Sequence, residues 1–205
     1  MARNGAATRE RFLQAAERLV IDNGFAATSL DQLISTTKLS KGAFFHHFDS
    51  KLDLARALVE RYADADISHL EMALTEVAAI PDASDRLISF IRIFEDSADE
   101  LMGAQSSCLY VAILTERQLV ETGTSEGIGR AIAAWRNALS ELIKEAVEAR
   151  RPDWRDDLDP DALADHVFVT FEGAFILCRA EGDGRHMRAQ LTILRQLLEA
   201  LIAKQ

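Results

Sequence analysis

Residues 29–51, Ser-Leu-Asp-Gln-Leu-Ile-Ser-Thr-Thr-Lys-Leu-Ser-Lys-Gly-Ala-Phe-Phe-His-His-Phe-Asp-Ser-Lys, pack three helix starts into a very short stretch. Ser29 with Gln32 reads as a capping box, in which a hydroxyl accepts a free backbone N–H while the amide reaches back. Ser40 is placed to cap a second, very short helix, and Ser50 with Asp53 repeats the S-x-x-[DE] signature for a third. Two short helices joined by about three or four residues form a helix-turn-helix, whose second helix is sized to enter the DNA major groove. Here that second helix opens with Lys41 and Gly42 and carries Phe44, Phe45, His46 and His47 behind them.

The run Ser40-Lys41-Gly42, then Phe44-Phe45-His46-His47-Phe48 and Ser50-Lys51, resembles the signature of the TetR-type (tetracycline-repressor-like) family of bacterial transcriptional regulators. Gly24-Phe25-Ala26-Ala27-Thr28-Ser29, just before it, is similar to the same family, and the likeness covers roughly residues 8–56. Three departures have physical consequences. Thr37-Lys38 stands where the family usually has Ala-Gly, so Lys38 must take a left-handed conformation that glycine adopts freely, at a cost of about 1 kcal/mol. Ile34 replaces a small residue, which alters helix spacing. Ala43 and Phe45 stand where Thr and Tyr are common, so two hydroxyls that face DNA in the family are missing here.

With 205 residues the chain suits one domain or two small ones. Its 48% apolar and 27% charged residues are ordinary for a soluble globular protein with a real core. No apolar run approaches the about 18 residues of a membrane span, and the first residues lack the apolar stretch of a secretory signal. Cys108 and Cys178 make no disulfide framework, so the expected compartment is the bacterial cytoplasm. The net charge of −10 divides unevenly, +2 over residues 1–62 and −12 over 63–205. Phosphate binding needs only a local basic surface, and the asymmetry mildly favours DNA binding by the N-terminal part.

Period-2 alternation is nowhere sustained, so the expected fold class is all-α, with about nine helices. The first covers about residues 7–23, with Phe12, Ala16, Leu19 and Val20 on one face and Gly24 as C-terminal cap. The fourth runs from Ser50 past Leu54, Leu58 and Tyr62. Later helices are expected from about Ser84 to Leu101, 105–116, Ile128 to Arg151, Pro160 to Gly182, and from Gly184 onward. Pro152 ends one of these, and Asp159 with Pro160 starts the next. The expected organisation is a helix-turn-helix DNA-binding domain over residues 1–50, motif about 29–48, and a ligand-binding and dimerisation domain over 51–205. The family resemblance implies the same three-helix head and six-helix body.

The candidate DNA-binding set is Thr28, Ser29, Ser40, Lys41, Gly42, Ala43, Phe44, Phe45, His47 and Lys51. Lys51 resembles the family lysine that meets phosphate from a helix N-terminus, and Thr28 or Ser29 offers a hydroxyl and N–H in the same way. Lys41 can donate to guanine O6/N7 or to phosphate, and Gly42 and Ala43 allow close approach or methyl contact. His47 is a candidate phosphate contact. Phe48 is read as core, whereas Phe44 and Phe45 are open between core and groove, since adjacent helical positions face different ways.

Met187, Leu191, Leu194, Leu198 and Leu201 recur at spacings of 4, 3, 4 and 3, a coiled-coil-like seam that serves either a dimer interface or an intramolecular core. Gly173 and Ala174 are small enough to admit another helix, and pairing both helices with their copies would give a four-helix homodimer interface. The aromatic residues Phe90, Phe94, Tyr110, Trp135, Phe168, Phe171 and Phe175 are candidate walls of an apolar effector pocket, or simply core. Cys108, after Ser106 and Ser107, joins that set as an electrophile-sensing thiol near a helix start or as an inert packing residue.

Metal and catalytic chemistry lack a pattern. The histidines make no His-x-x-x-His pair, and Asp156, Asp157, Asp159, Asp161 and Asp165 lack the glycine and closing glutamate of a calcium loop. No cofactor and no enzyme activity are expected. The reading is a sequence-specific, homodimeric transcriptional regulator, a repressor released from a palindromic DNA operator by a small-molecule effector. Its rivals are a helical carrier or enzyme without DNA binding, and a regulator that answers to a partner protein.

Overall fold

The computed structural model describes residues 2–104, 108–150 and 158–202, with side chains omitted at 2–4 and 103–104. Within them lie eleven helices and no strand: α1 (Ala2–Asn23), α2 (Leu30–Thr37), α3 (Lys41–Phe45), α4 (Lys51–Val77), α5 (Ala83–Asp96), α6 (Ala98–Ala104), α7 (Leu109–Leu114), α8 (Arg117–Glu121), α9 (Glu126–Arg150), α10 (Pro160–Glu181) and α11 (Arg185–Leu201). They form two compact units, one of residues 1–65 and 108–130, the other of 66–107 and 131–205.

One of the nine expected helices is divided, and one further helix is added. The helix expected to reach Leu101 breaks at Ser97, whose hydroxyl bonds back to Ile93 O at 2.9 Å before α6 begins. The helix expected at 105–116 is α7 alone, and its successor α8 starts after Glu116, whose extended backbone (φ −92°, ψ 97°) cannot continue a helical turn. Ser106 and Ser107, and the helix-ending Arg151 and Pro152 with Asp156 and Asp157, lie outside the described residues.

The first unit is organised around three phenylalanines. Phe12 of α1 meets Phe44 at 5.4 Å and Phe48 at 6.2 Å, both edge-on, and Phe44 and Phe48 lie 5.5 Å apart. All three rings are buried with Leu13, Leu33 and Leu58. Burying such a side chain contributes about 1.5–3 kcal/mol, so this cluster is the main force holding three short helices together. Arg61 of α4 then pairs with Glu10, at 2.6 Å, and with Glu17, fastening α1 along α4.

In the second unit α11 packs against α10, α5 and α6. Met187, Leu191, Leu194 and Leu198 are all buried there. Beside them Arg195 donates to Glu95 at 2.6 Å and to Glu199 at 2.8 Å, and Thr192 donates to Glu95 at 2.7 Å. The expected cap at Asp159 is present, accepting N–H bonds from Asp161 and Ala162, with Pro160 in the first helical position. At the start of α5, Asp82 accepts from Ser84 and Asp85 N–H, and Arg150 ties the end of α9 to the same carboxylate at 2.9 Å.

Candidate nucleic-acid interface

The local chemistry of residues 24–51 follows the sequence closely at the helix ends. Ser29 and Gln32 form the reciprocal capping box, at 3.2 Å and 2.7 Å. Ser40 accepts the Ala43 N–H at 3.1 Å and Ser50 accepts that of Asp53 at 3.0 Å. Lys38 ends α2 in the left-handed region (φ 54°, ψ 32°), the conformation its place in the turn requires. Arg11 of α1 donates to Thr37 O at 2.5 Å, satisfying a carbonyl that the helix end leaves open.

On α3, Lys41 and Gly42 are exposed, Ala43 is half-buried and Phe45 is 49% exposed; just past its end His46 is exposed and His47 half-buried. Beyond Gly42 only Ser40 Oγ comes within 4 Å of where a Cβ would stand. A helical glycine costs roughly 1 kcal/mol relative to alanine, and nothing within the chain demands it here. Its missing side chain instead leaves clearance on the outer face of α3, where a partner's backbone can approach.

Three of the expected contacts are internal. Phe44 is fully buried against Phe12, Phe45 and Phe48, so it builds the head and does not reach a groove. Thr28 is 1% exposed, and its hydroxyl donates to Gly24 O at 2.9 Å, closing the turn after α1. Lys51 turns inward: Nζ lies 4.1 Å from the Phe25 ring and donates to Phe25 O at 2.5 Å and Ala26 O at 3.4 Å. Partial burial lowers its ammonium pKa below the usual lysine value, and Glu116 opposes that shift. Ser29 is exposed, yet both its hydroxyl and its N–H serve the capping box.

Glu116 is a residue the sequence reading missed. Its carboxylate accepts the Ala26 N–H at 3.0 Å, holding the turn before α2 that Lys51 also contacts. A helix-start glutamate carries no local signal of so distant a partner.

The expected seam on α11 faces inward. Met187, Leu191, Leu194 and Leu198 are at most 2% exposed within a single chain, so they are core and not a dimer surface; Leu201 is half-buried. Ala174 is buried too. The apolar residues left in solvent lie on other faces of the same helices: Val169, Ile176 and Leu177 on α10, and Ile193 and Leu197 on α11. Gly173 has open space beyond its Cα, so a helix of another chain can come close there. The 3.5-residue repeat marks one face of α11 as apolar, whereas the outer residues, Ile193 with Leu197 and Val169 with Ile176, are too few to stand out beside it.

The aromatic candidates divide between the units. Phe90, Phe94, Trp135, Phe171 and Phe175 form a connected row in the second, in which Phe94 meets Phe90, Trp135 and Phe171, and contacting ring centroids lie 5.2–6.2 Å apart. Phe168 is half-buried on α10. Tyr110 is buried in the first unit against Tyr62, at 5.2 Å, and Cys108 is buried in that unit as well. Cys108 and Cys178 are both 3% exposed, so access does not set one thiol apart. Two clefts of the second unit, of about 560 and 320 Å³, are lined by other residues: Ile80, Arg92, Ile93 and Glu100 in one, Leu74, Arg86 and Leu142 in the other, with Val77 in both. Among the described residues no group of three or more His, Cys, Asp or Glu is placed to hold a metal, and no helix is long and apolar enough to cross a membrane.

A capped helix-turn-helix with an open recognition face, on an all-helical chain, defines a DNA-binding regulator. Residues 12–58 match the model of the bacterial regulatory proteins of the tetR family, and residues 83–194 that of the tetracyclin repressor-like C-terminal domain. The chain belongs to the TetR family of transcriptional regulators. It is 23% identical over 183 residues to the transcriptional regulator AcuR of Cereibacter sphaeroides, covering 88% of this chain and 80% of that one. It is 27% identical over 148 residues to the transcriptional repressor NemR of Escherichia coli K12, covering 70% and 69%. The crystal structure of reduced E. coli NemR superposes with a TM-score of 0.71 at 21% identity, covering 93% and 97%, and a regulator from Agrobacterium tumefaciens with 0.73 at 21%, covering 96% and 98%. Regulators of this family bind operator DNA as homodimers and respond to small-molecule effectors, and this chain is one of them.

Proposed function

We propose that this chain represses transcription by reading a palindromic operator with α3 of each protomer, through Lys41, Gly42, Ala43 and Phe45, with His47 on the backbone. Residues 1–50 do the reading and residues 51–205 the sensing and pairing, in the bacterial cytoplasm and without catalysis. The observation that carries this reading is the exposed start of α3, where Lys41 stands beside a glycine that packing does not require. Lys51, Ser29 and Thr28 act by shaping the turn that presents α3.

The homodimer forms through the outer faces of α10 and α11, with Val169, Gly173, Ile176, Ile193 and Leu197 in place of the inward seam. The effector binds in the second unit beside the row of Phe90, Phe94, Trp135, Phe171 and Phe175, where Phe94, Trp135 and Phe171 are only half-buried. An effector that prefers a dimer with the wrong head spacing lowers operator affinity by its differential binding, typically about 1–3 kcal/mol. The test is to find small molecules that raise the melting temperature and titrate them into the operator complex. Release of DNA with a roughly 5- to 150-fold loss of affinity is the expected result; binding that leaves operator affinity unchanged contradicts effector-driven release.

A further inference from the structure

Three charged side chains of α1 make contacts within the head. Glu10 and Glu17 pair with Arg61, and Arg11 donates to Thr37 O. Arg9 is exposed, and its guanidinium carbon lies 5.5 Å from the Phe48 ring centroid, just past the end of the recognition helix. His47 stacks edge-on against the same ring at 6.4 Å, and the His46 and His47 rings lie 4.9 Å apart. The start of α1 closes on this group, since a Cβ at Gly5 would stand 3.6 Å from His47 Cε1. Three cationic or protonatable side chains, one from α1 and two from the turn that ends α3, thus converge beyond the C-terminus of α3.

We propose that Arg9, His46 and His47 form a phosphate-binding site for the operator backbone, flanking the bases read by the start of α3, and that DNA binding there takes up protons. The inference rests on the DNA-binding reading above and extends it to His46 and to Arg9, which lies outside the helix-turn-helix motif. Like charges held this close repel one another, and an anion placed among them relieves the repulsion. The proton affinity of His47 in the DNA-free protein fits this: desolvation, then His46, then Arg9 hold its pKa below the ordinary histidine value. A phosphate oxygen reverses the last two effects, so the imidazole gains a proton as the complex forms. Asp49 and Asp53 follow along the chain, where Asp53 accepts the Asp49 N–H at 3.1 Å, and no carboxylate is among the influences on His47.

The experiment uses the full-length protein and an operator duplex selected from random DNA, with affinity measured from pH 8 to pH 6 at constant ionic strength. Affinity should rise about tenfold or more as the pH falls, because a group bound more tightly when protonated links binding to pH. The double variant His46→Gln with His47→Gln should flatten that dependence while keeping the same sequence preference. Arg9→Ala should lower affinity evenly across sequences and reduce the salt slope by about 1 per subunit. All three side chains lie at the surface of the head, and unchanged melting of the variants separates lost contacts from lost folding. A wild-type affinity independent of pH, with Arg9→Ala binding normally, overturns the site and leaves the regulator reading intact. Failure to bind any DNA at any pH overturns both.

Discussion

The Glu116 carboxylate accepts the backbone N–H of Ala26 at 3.0 Å, across 90 residues of chain. Glu116 occupies the N-cap position of α8 yet makes no cap bond to its own helix, so its side chain serves the turn between α1 and α2 instead. Lys51 holds the carbonyls of Phe25 and Ala26 in that same turn. The segment that leads into the helix-turn-helix is thereby fixed from the α7–α8 junction and from the start of α4. Removing the carboxylate frees a donor that water can reach, so Glu116→Ala should cost about 1 kcal/mol in urea unfolding. Glu116→Gln keeps an acceptor and should cost less. Amide exchange at Ala26 should speed up in the alanine variant; unchanged exchange there would remove Glu116 from this role.

Lys51→Ala should lower stability as well as operator affinity, because its ammonium caps two carbonyls of the head. A loss of about 1–2 kcal/mol is expected from those bonds and the contact with Phe25. Denaturant unfolding and operator titration together test this: weakened DNA binding at full stability would restore Lys51 to a direct phosphate contact.

Lys38 sits at φ 54° in the turn of the motif, where a side chain is strained. Lys38→Gly should therefore stabilise the head by about 1 kcal/mol and raise the melting temperature. A destabilised Lys38→Gly protein would mean that the side chain makes a compensating contact.

The helix-turn-helix was legible because its signals are local. Ser29, Ser40 and Lys38 each act on neighbours within a few residues, and the backbone obeyed them. The sorting of Phe44 inward and Phe45 outward was not legible, since both are equally apolar and only packing against Phe12 decides between them. The same limit explains α11: the repeat of Met187, Leu191, Leu194 and Leu198 marks an apolar stripe without saying which chain covers it. Contacts between distant residues, such as Glu116 with Ala26, leave no spacing to read.

The two faces of α11 separate core from interface by experiment. Leu194→Glu places a carboxylate in a fully packed site and should unfold the chain. Ile193→Glu and Leu197→Glu alter side chains that are 51% and 59% exposed, so they should give folded proteins that sediment as monomers and lose operator binding. Folded dimers from both outer-face variants would place the interface elsewhere.

Glu95 contributes acid sensitivity. Its hydrogen bond from Arg195 is the largest influence on it, and burial opposes the effect without reversing it, so its pKa in the folded state lies below the usual glutamate value. The unfolded chain therefore binds this proton first as the pH drops. The stabilisation is fully present above the unfolded value, near 4.5, and is lost as the pH falls through the lower folded value. Glu95→Gln should be less stable at neutral pH and show a shallower loss of stability below pH 4.5. Equal acid profiles for the two proteins would show that the Arg195 pair does not contribute.

The central claim, a homodimer that reads a palindrome with α3, is tested most directly by selecting bound fragments from random DNA with the wild-type protein and with Lys41→Ala. Wild-type selection should yield inverted half-sites whose centres are about 34–36 Å apart, or a multiple of one helical turn. Lys41→Ala should still select paired half-sites, but with altered preference at the base pair that Lys41 contacts. Fragments without inverted symmetry, or an identical preference from the variant, would contradict the account.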